Sequence, residues 1–392
     1  MADGDEDDDE RLGFVDFVRP DATTRRRRMA SSRHLGDSRT PVASMPPNDT
    51  PLVSVCMASF NHAPFIETAI ASVLSQTYAN WELVITDDGS TDDTPARLGH
   101  YRDPRIQCEL FSVNRGACTT LNHSIRRARG EYIAILNSDD AWAPDKLREQ
   151  LQFLLQEPGK AAVFTHVEAI DERGHPLRED HFCSTVFSQG NRSREEWLKR
   201  FLFGNNCLCH PSAMVRAAAY RRTGLYDERM TQLPDLDMWV RICCEADIWV
   251  LPARLTKFRV LDRERNASGN RVETRVRDEW ETMLVWWKAL QSHPLEIAKL
   301  LPSFPPDWSD KAIDPLWFSD NVLAGMRRGA RTAILLWLFE RMGPDADSLH
   351  YRRYGELVAE ADPLGVETGT RGRRTTQSLR RWLRQRWPTR RR

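Results

Sequence analysis

Between residues 52 and 157 short β-rich runs alternate with helical patterns, and each β-rich run ends on a polar cluster. The runs are 52–57, 81–86, 105–110 and 132–137, and the helical patterns that follow them are 64–76, 94–100, 117–129 and 144–157. Alternation of this kind predicts an α/β unit whose mostly parallel sheet is flanked by helices on both faces. Open α/β sheets bind ligands in the crevice beyond the carboxyl ends of their strands. The clusters Ser59-Phe60-Asn61, Asp87-Asp88-Gly89-Ser90, Asn114-Arg115-Gly116 and Asn137-Ser138-Asp139-Asp140 therefore point at one site.

The pattern is mixed after residue 160, with a strand over 161–166, a helix at Arg194–Phe203, an apolar segment over 207–215, a helix over 235–246 and a strand over 248–251. Strands stop near Asn270, and helical stretches rich in Trp and Leu follow at Val272–Ser292, 320–342 and 347–361. Their apolar faces suit the α/β unit, a second copy of the chain or a membrane surface, and periodicity does not choose among these. Residues 1–50 carry charge, Ser, Thr and Pro without apolar periodicity, so they bury too little surface to offset the entropy of ordering. The expected organisation is a disordered tail (1–50), an α/β domain (51–265), a helical region (266–365) and a basic Arg/Trp-rich tail (366–392).

Lys plus Arg and Asp plus Glu both number 56, so no net field recruits nucleic acid. The charge is instead concentrated at the ends, where Trp382, Leu383 and Trp387 among arginines suit either a solvated tail or peripheral contact with an anionic membrane. The eight cysteines form no CxxC pair, and Cys207-Leu208-Cys209-His210 lacks the second pair that a zinc site needs. No run approaches the roughly 20 apolar residues that cross a bilayer, and the N-terminus has no apolar run of a signal peptide. A cytoplasmic protein, peripheral at most at the inner membrane face, is expected.

Three acidic positions suggest chemistry. Asp139 and Asp140 close an apolar strand, where adjacent carboxylates suit a hard divalent cation bridging a diphosphate, although Asp-Asp also suits a plain turn. Asp88 stands where a carboxylate can accept hydrogen bonds from a base edge or ribose, or can simply shape a β-turn. Asp235 heads a helix, where unpaired backbone N–H groups favour its charge, so it fits both a general base and an N-terminal cap. His210 is a candidate for contact with a phosphate or an acceptor, and Arg115 with a nucleotide; a lone His beside an apolar segment is more often a structural hydrogen-bond partner, and loop arginines are mostly solvated.

Taken in order, Val53-Ser54-Val55-Cys56-Met57-Ala58-Ser59-Phe60-Asn61, the segment 69–83, Asp87-Asp88-Gly89-Ser90-Thr91-Asp92, Asn137-Ser138-Asp139-Asp140, Gly224-Leu225-Tyr226-Asp227-Glu228 and Pro234-Asp235-Leu236-Asp237-Met238-Trp239 resemble family 2 glycosyltransferases over about residues 51–260. The resemblance implies a GT-A fold, a nucleotide diphosphate sugar as donor, Mn²⁺ or Mg²⁺, and inverting transfer to a saccharide, lipid-linked or protein acceptor. Carried over by position, Ala58, Phe60 and Asp88 hold the base and ribose, with Arg115 beside the nucleotide. Asp140 becomes the direct metal ligand, Asp139 serves the ribose or a metal-bound water, and Asp235 becomes the catalytic base. Pro234 stands where the family commonly has an acidic residue, a departure that bears on acceptor contacts. The Gln-x-x-Arg-Trp element of polymerising members has only an imperfect echo over 377–382, which favours single transfer over polymer synthesis.

Two other functions fit parts of the pattern. A nucleotidyltransferase that makes nucleotide sugars would carry a Gly-rich phosphate loop after the first strand, where this chain has Ser59-Phe60-Asn61-His62-Ala63. A non-catalytic sugar-, nucleotide- or nucleic-acid-binding scaffold would not need Asp88, Asp140 and Asp235 together.

Overall fold

The structure, a computed structural model, describes residues 50–261, 272–300 and 326–341. The expected N-terminal tail up to residue 49, the helix over 347–361 and the basic tail lie outside the described residues. Among the described residues eight strands form one mixed sheet in the order β3-β2-β1-β4-β7-β6-β8-β5. They are β1 (Val53–Ser59), β2 (Trp81–Asp87), β3 (Ile106–Leu110), β4 (Tyr132–Ile135), β5 (Ala141–Trp142), β6 (Lys160–Ile170), β7 (Met214–Arg216) and β8 (Asp247–Arg259). Only β7 and β5 run against the others, since β4 and β6 are both antiparallel to β7 while β6 and β8 are parallel. The sheet is therefore mostly parallel, as the alternation predicts.

β1 and β2 are buried along nearly their whole length, which explains why they read as continuous apolar runs. The outer strand β3 is half-exposed and carries Gln107 and Glu109, polar residues that suit a sheet edge. The chain moves from β1 outward to β2 and β3, then returns to β4 on the other side of β1. That reversal leaves the crevice at the carboxyl ends of β1 and β4, the position where α/β sheets take ligands.

Helices α1 (Ala63–Leu74), α2 (Thr94–Leu98), α3 (Ala117–Arg127) and α4 (Lys146–Gln156) connect these strands. The chain then adds α5 (Phe182–Val186), α6 (Arg194–Phe203), α7 (Ala217–Thr223), α8 (Pro234–Glu245), α9 (Val272–Ser292), α10 (Pro294–Ala298) and α11 (Arg328–Arg341). α6 starts with a complete capping box, in which Ser193 and Glu196 satisfy each other's backbone N–H. α5, α7 and the two-residue β5 escaped the sequence reading, being too short to show a period.

One hydrophobic core joins the sheet to the later helices. Cys56 and Ile135 of the sheet, Trp239 of α8, Trp286 of α9 and Trp337 of α11 all belong to it. Phe164 of β6 meets Trp239 edge to face at 4.7 Å between ring centroids. α9 and α11 thus pack on the α/β unit, the first of the three settings that periodicity left open. Gly329 admits α11 to close contact with α9, because a Cβ there would stand 2.4 Å from the Glu279 carbonyl oxygen. Among the described residues no helix is long and apolar enough to cross a membrane.

Candidate active site

The four strand ends are stitched into one rim by side chains of the clusters themselves. Asn61, left-handed at φ 52°, donates its backbone N–H to Ser90 Oγ at 2.8 Å and accepts the Thr91 N–H at 2.8 Å. Asp92 accepts the Ala63 N–H at 3.0 Å and the Thr94 N–H at 2.9 Å, tying the starts of α1 and α2 together. His62 Nδ1 and Ser138 Oγ share a hydrogen bond at 2.7 Å, which joins the loop after β1 to the loop after β4. Gly89, at φ 73°, lets the loop after β3 press close: a Cβ would stand 2.7 Å from the Val113 carbonyl carbon.

On this rim Phe60 is 41% exposed and Ala58 is half-buried. Asp88 is buried, and its two oxygens accept the backbone N–H groups of Arg115 at 2.7 Å and Gly116 at 3.0 Å. Its first role is therefore to hold the loop after β3, and any contact with a base must use its remaining lone pairs. The Arg115 guanidinium is exposed and lies over the Phe111 ring at 4.3 Å.

Asp139 and Asp140 are adjacent but differ in setting. Asp140 is 1% exposed, and its carboxylate accepts the Arg259 N–H at 2.7 Å and the Asn137 side-chain amide at 3.0 Å. Burial and the Asp139 charge hold its carboxyl well above the usual carboxylate range. Asp139 is half-buried, and its main-chain carbonyl accepts from Arg259 Nε at 2.7 Å. The more accessible carboxylate is thus Asp139, whereas the sequence motif assigned the direct metal role to Asp140. No group of three or more His, Cys, Asp or Glu side chains among the described residues could hold an ion. A cation on Asp139 would need ligands from a bound diphosphate, which suits the oxygen-rich coordination of Mg²⁺ at substrate phosphates.

Asp235 occupies the first turn of α8, after Leu233 and Pro234. Asn206 Nδ2 donates to its Oδ2 at 2.6 Å, and the Leu236 N–H donates to its Oδ1 at 2.8 Å. Burial pushes its carboxyl up to about 6, against the hydrogen bonds that favour the charge. The segment between Asn206 and Ala213 links this carboxylate to the acidic pair. Pro211 accepts the Trp142 indole N–H at 2.9 Å, and the buried Cys209 thiol is pushed up by burial and then by Asp140 and Asp235.

His210 Nε2 hydrogen-bonds the Tyr226 hydroxyl at 2.9 Å, and Tyr226 meets the Tyr220 hydroxyl at 3.1 Å. Burial of the His210 ring lowers its imidazole to about 4, so it is a neutral hydrogen-bond partner of Tyr226. Motif reading missed Asn206 and Glu281. Asn206 lies in a loop without pattern. Glu281 carried a signal, being a carboxylate on the apolar face that also holds Val285, Trp286 and Ala289. Its Oε1 accepts the Thr231 N–H at 2.8 Å, and its Oε2 accepts the N–H groups of Gln232 at 2.8 Å and Leu233 at 2.7 Å.

The family model for "Glycosyl transferase family 2" matches residues 54–224. EpsE of Bacillus subtilis (strain 168), a provisionally assigned glycosyltransferase, is 33% identical over 200 residues, which are 50% of this chain and 67% of EpsE. The chain belongs to glycosyltransferase family 2. TuaG of the same organism, provisionally assigned to teichuronic acid biosynthesis, is 42% identical over 132 residues. The match spans 33% of this family 2 chain and about half, 52%, of TuaG. WfgD of Escherichia coli, named a UDP-Glc:alpha-D-GlcNAc-diphosphoundecaprenol beta-1,3-glucosyltransferase, is 41% identical over 108 residues, 28% of this chain and 43% of WfgD. S. aureus TarS 1–349 in complex with UDP-GlcNAc shares the fold at a TM-score of 0.53 and 16% identity, over 80% of this chain and 89% of that one. The GT-A fold, a mostly parallel sheet flanked by helices, is therefore shared with a solved structure.

Proposed function

We propose that this family 2 enzyme transfers a sugar, with inversion, from a nucleoside diphosphate donor to a saccharide hydroxyl, with Asp235 as general base. The observation that carries the reading is the setting of Asp235: the carboxylate of a half-buried residue at the start of α8, held by Asn206 and the Leu236 N–H and raised by burial to about 6. A base raised towards neutral pH is still ionised there and is better matched to a hydroxyl proton than an ordinary carboxylate. The acceptor oxygen attacks the anomeric carbon as the bond from that carbon to the phosphate oxygen breaks. The bonding electrons leave with the diphosphate, and the hydroxyl proton passes to Asp235.

Phe60, Ala58 and Asp88 receive the nucleoside end of the donor, with Arg115 at the outer edge. Asp139 is the side chain that would hold Mn²⁺ or Mg²⁺, with Asp140 fixing the turn beneath it. When bound there, the cation would neutralise the charge that builds on the departing diphosphate. UDP-sugars are the first donors to test, because WfgD is named for UDP-Glc and TarS was solved with UDP-GlcNAc. A diphosphoundecaprenol-linked saccharide is the first acceptor to test, on WfgD's name alone.

The test is UDP release from UDP-glucose and UDP-GlcNAc with Mn²⁺, with and without a diphosphoundecaprenol-linked saccharide, in the parent and in Asp235→Asn. Transfer by the parent and its loss in Asp235→Asn support the reading. Nucleotide-sugar synthesis from UTP and a sugar phosphate would replace it with the nucleotidyltransferase.

A further inference from the structure

Within the first turn of α8 Asp235 accepts the Leu236 N–H, but the segment before the helix has no such local partner. Its N-cap residue, Leu233, makes no side-chain cap hydrogen bond, and Pro234 has no N–H to offer. The segment leading into the helix is held instead from 48 residues away, where the carboxylate of the 5% exposed Glu281 gathers the backbone N–H groups of Thr231, Gln232 and Leu233. Three short bonds to one carboxylate fix a peptide segment more tightly than single neutral bonds. Lys288, seven residues on and so about two turns along the same face of α9, binds Asp237 at 2.7 Å and Asp227 at 3.0 Å. Asp237 is itself 1% exposed and also pairs with Arg241 at 2.8 Å. α9 therefore grips the segment just before Asp235 and the first turn just after it, with Val285 buried between the two grips.

We propose that Glu281 is a positioning residue for the transfer reaction: by fixing the backbone of residues 231–233 it sets where the Asp235 carboxylate stands. The inference rests on Asp235 being the base, and it makes the helices after residue 270 part of the catalytic apparatus. A carboxylate misplaced by about 1 Å costs about 100-fold in rate. Glu281 also adds negative charge near Asp235. Asn206 from the segment before β7 hydrogen-bonds that carboxylate, and Cys209 from the same segment, Cys118 from α3, Tyr226 from the segment after α7 and Glu281 from α9 interact with it electrostatically. Asp227, Asp237 and Lys288 form their own cluster farther along. Removing the Glu281 charge therefore lowers the Asp235 midpoint, and releasing residues 231–233 lowers the turnover.

The experiment compares the full-length parent, Glu281→Gln, Glu281→Asp and Asp235→Asn. UDP release is followed from whichever of UDP-glucose and UDP-GlcNAc the parent turns over. Titration of UDP with Mn²⁺ measures donor-site affinity, and carboxyl ¹³C NMR, with the resonance assigned by its loss in Asp235→Asn, follows the Asp235 titration. Glu281→Gln should lower kcat about 10- to 100-fold, leave UDP affinity within about twofold and move the Asp235 midpoint to lower pH. A folded Glu281→Gln with parental kcat and an unmoved midpoint overturns the proposal. Should that variant not fold, Glu281→Asp, which keeps the charge but draws it back by one methylene, carries the test through kcat, and a parental kcat there also overturns it. Parental turnover in Asp235→Asn would overturn the base assignment and this inference with it, an outcome separable from the failure of Glu281 alone.

Discussion

Asn206 donates its side-chain amide to Asp235 Oδ2 at 2.6 Å, across 29 residues of sequence. The bond favours the charged form of Asp235, opposing the burial that pushes the carboxyl up to about 6. Asn206→Ala should therefore raise the Asp235 midpoint, and the acidic limb of the kcat/KM profile should move to higher pH. A limb that stays in place would mean that Asn206 does not tune the base.

The parent's own pH profile follows with a definite sign. Below about pH 6 Asp235 is protonated and cannot accept the hydroxyl proton, so kcat/KM should fall tenfold per unit there and level off above it. The raised value also means that the folded chain binds this proton more tightly than the unfolded chain does. Between the ordinary value of 3.8 and about 6, ionising Asp235 costs stability as pH rises. Asp235→Asn removes that cost but sets an amide NH2 against one of the two N–H donors, Asn206 Nδ2 or Leu236 N, so it should stay near the parent in stability at pH 7 while kcat drops about 10²- to 10⁴-fold. Calorimetry beside turnover checks both, and a variant that melts well below the parent would recast Asp235 as a structural cap.

Asp139 and Asp140 should separate into different roles. Asp139→Asn should erase the Mn²⁺-dependent part of UDP affinity and leave the melting temperature near the parent's. Asp140→Ala should lower stability by about 1–3 kcal/mol, because the buried Arg259 N–H loses its acceptor. Titration of UDP with Mn²⁺ and with EDTA, beside chemical denaturation, distinguishes them. Equal UDP affinity in EDTA for the parent would remove the metal from the donor site.

Gly89→Ala should be destabilising by about 2 kcal/mol or more. The added Cβ meets the Val113 carbonyl carbon at 2.7 Å, and the backbone sits at φ 73°. Denaturation by urea gives the loss, and UDP affinity should weaken with it because the rim loses its close contact. An unchanged midpoint in urea would show that the loop after β3 yields freely.

The sequence by itself determined the strand-helix alternation, the polar clusters at the ends of β1 to β4 and the family. These are local properties: a buried parallel strand must read as an apolar run, and a crevice-facing turn must break that run with polar residues. The long β8 was read only in part, as 248–251, because residues beyond Leu251 such as Arg254, Lys257 and Arg259 mix charge into the strand. Tertiary structure alone decided which carboxylates are available. Asp139 and Asp140 are neighbours of one residue type, and only the approach of Arg259, 119 residues away, commits Asp140 inward. Asp88 carries a motif signature for nucleotide contact, yet its oxygens hold Arg115 and Gly116 because the loop after β3 folds back on it. The Glu281 carboxylate stands in an otherwise apolar stripe of α9, and only the packing of α9 against the segment before α8 supplies its partners. Its partners are backbone N–H groups, which every residue but proline has, so no side-chain pattern in residues 231–233 could announce them.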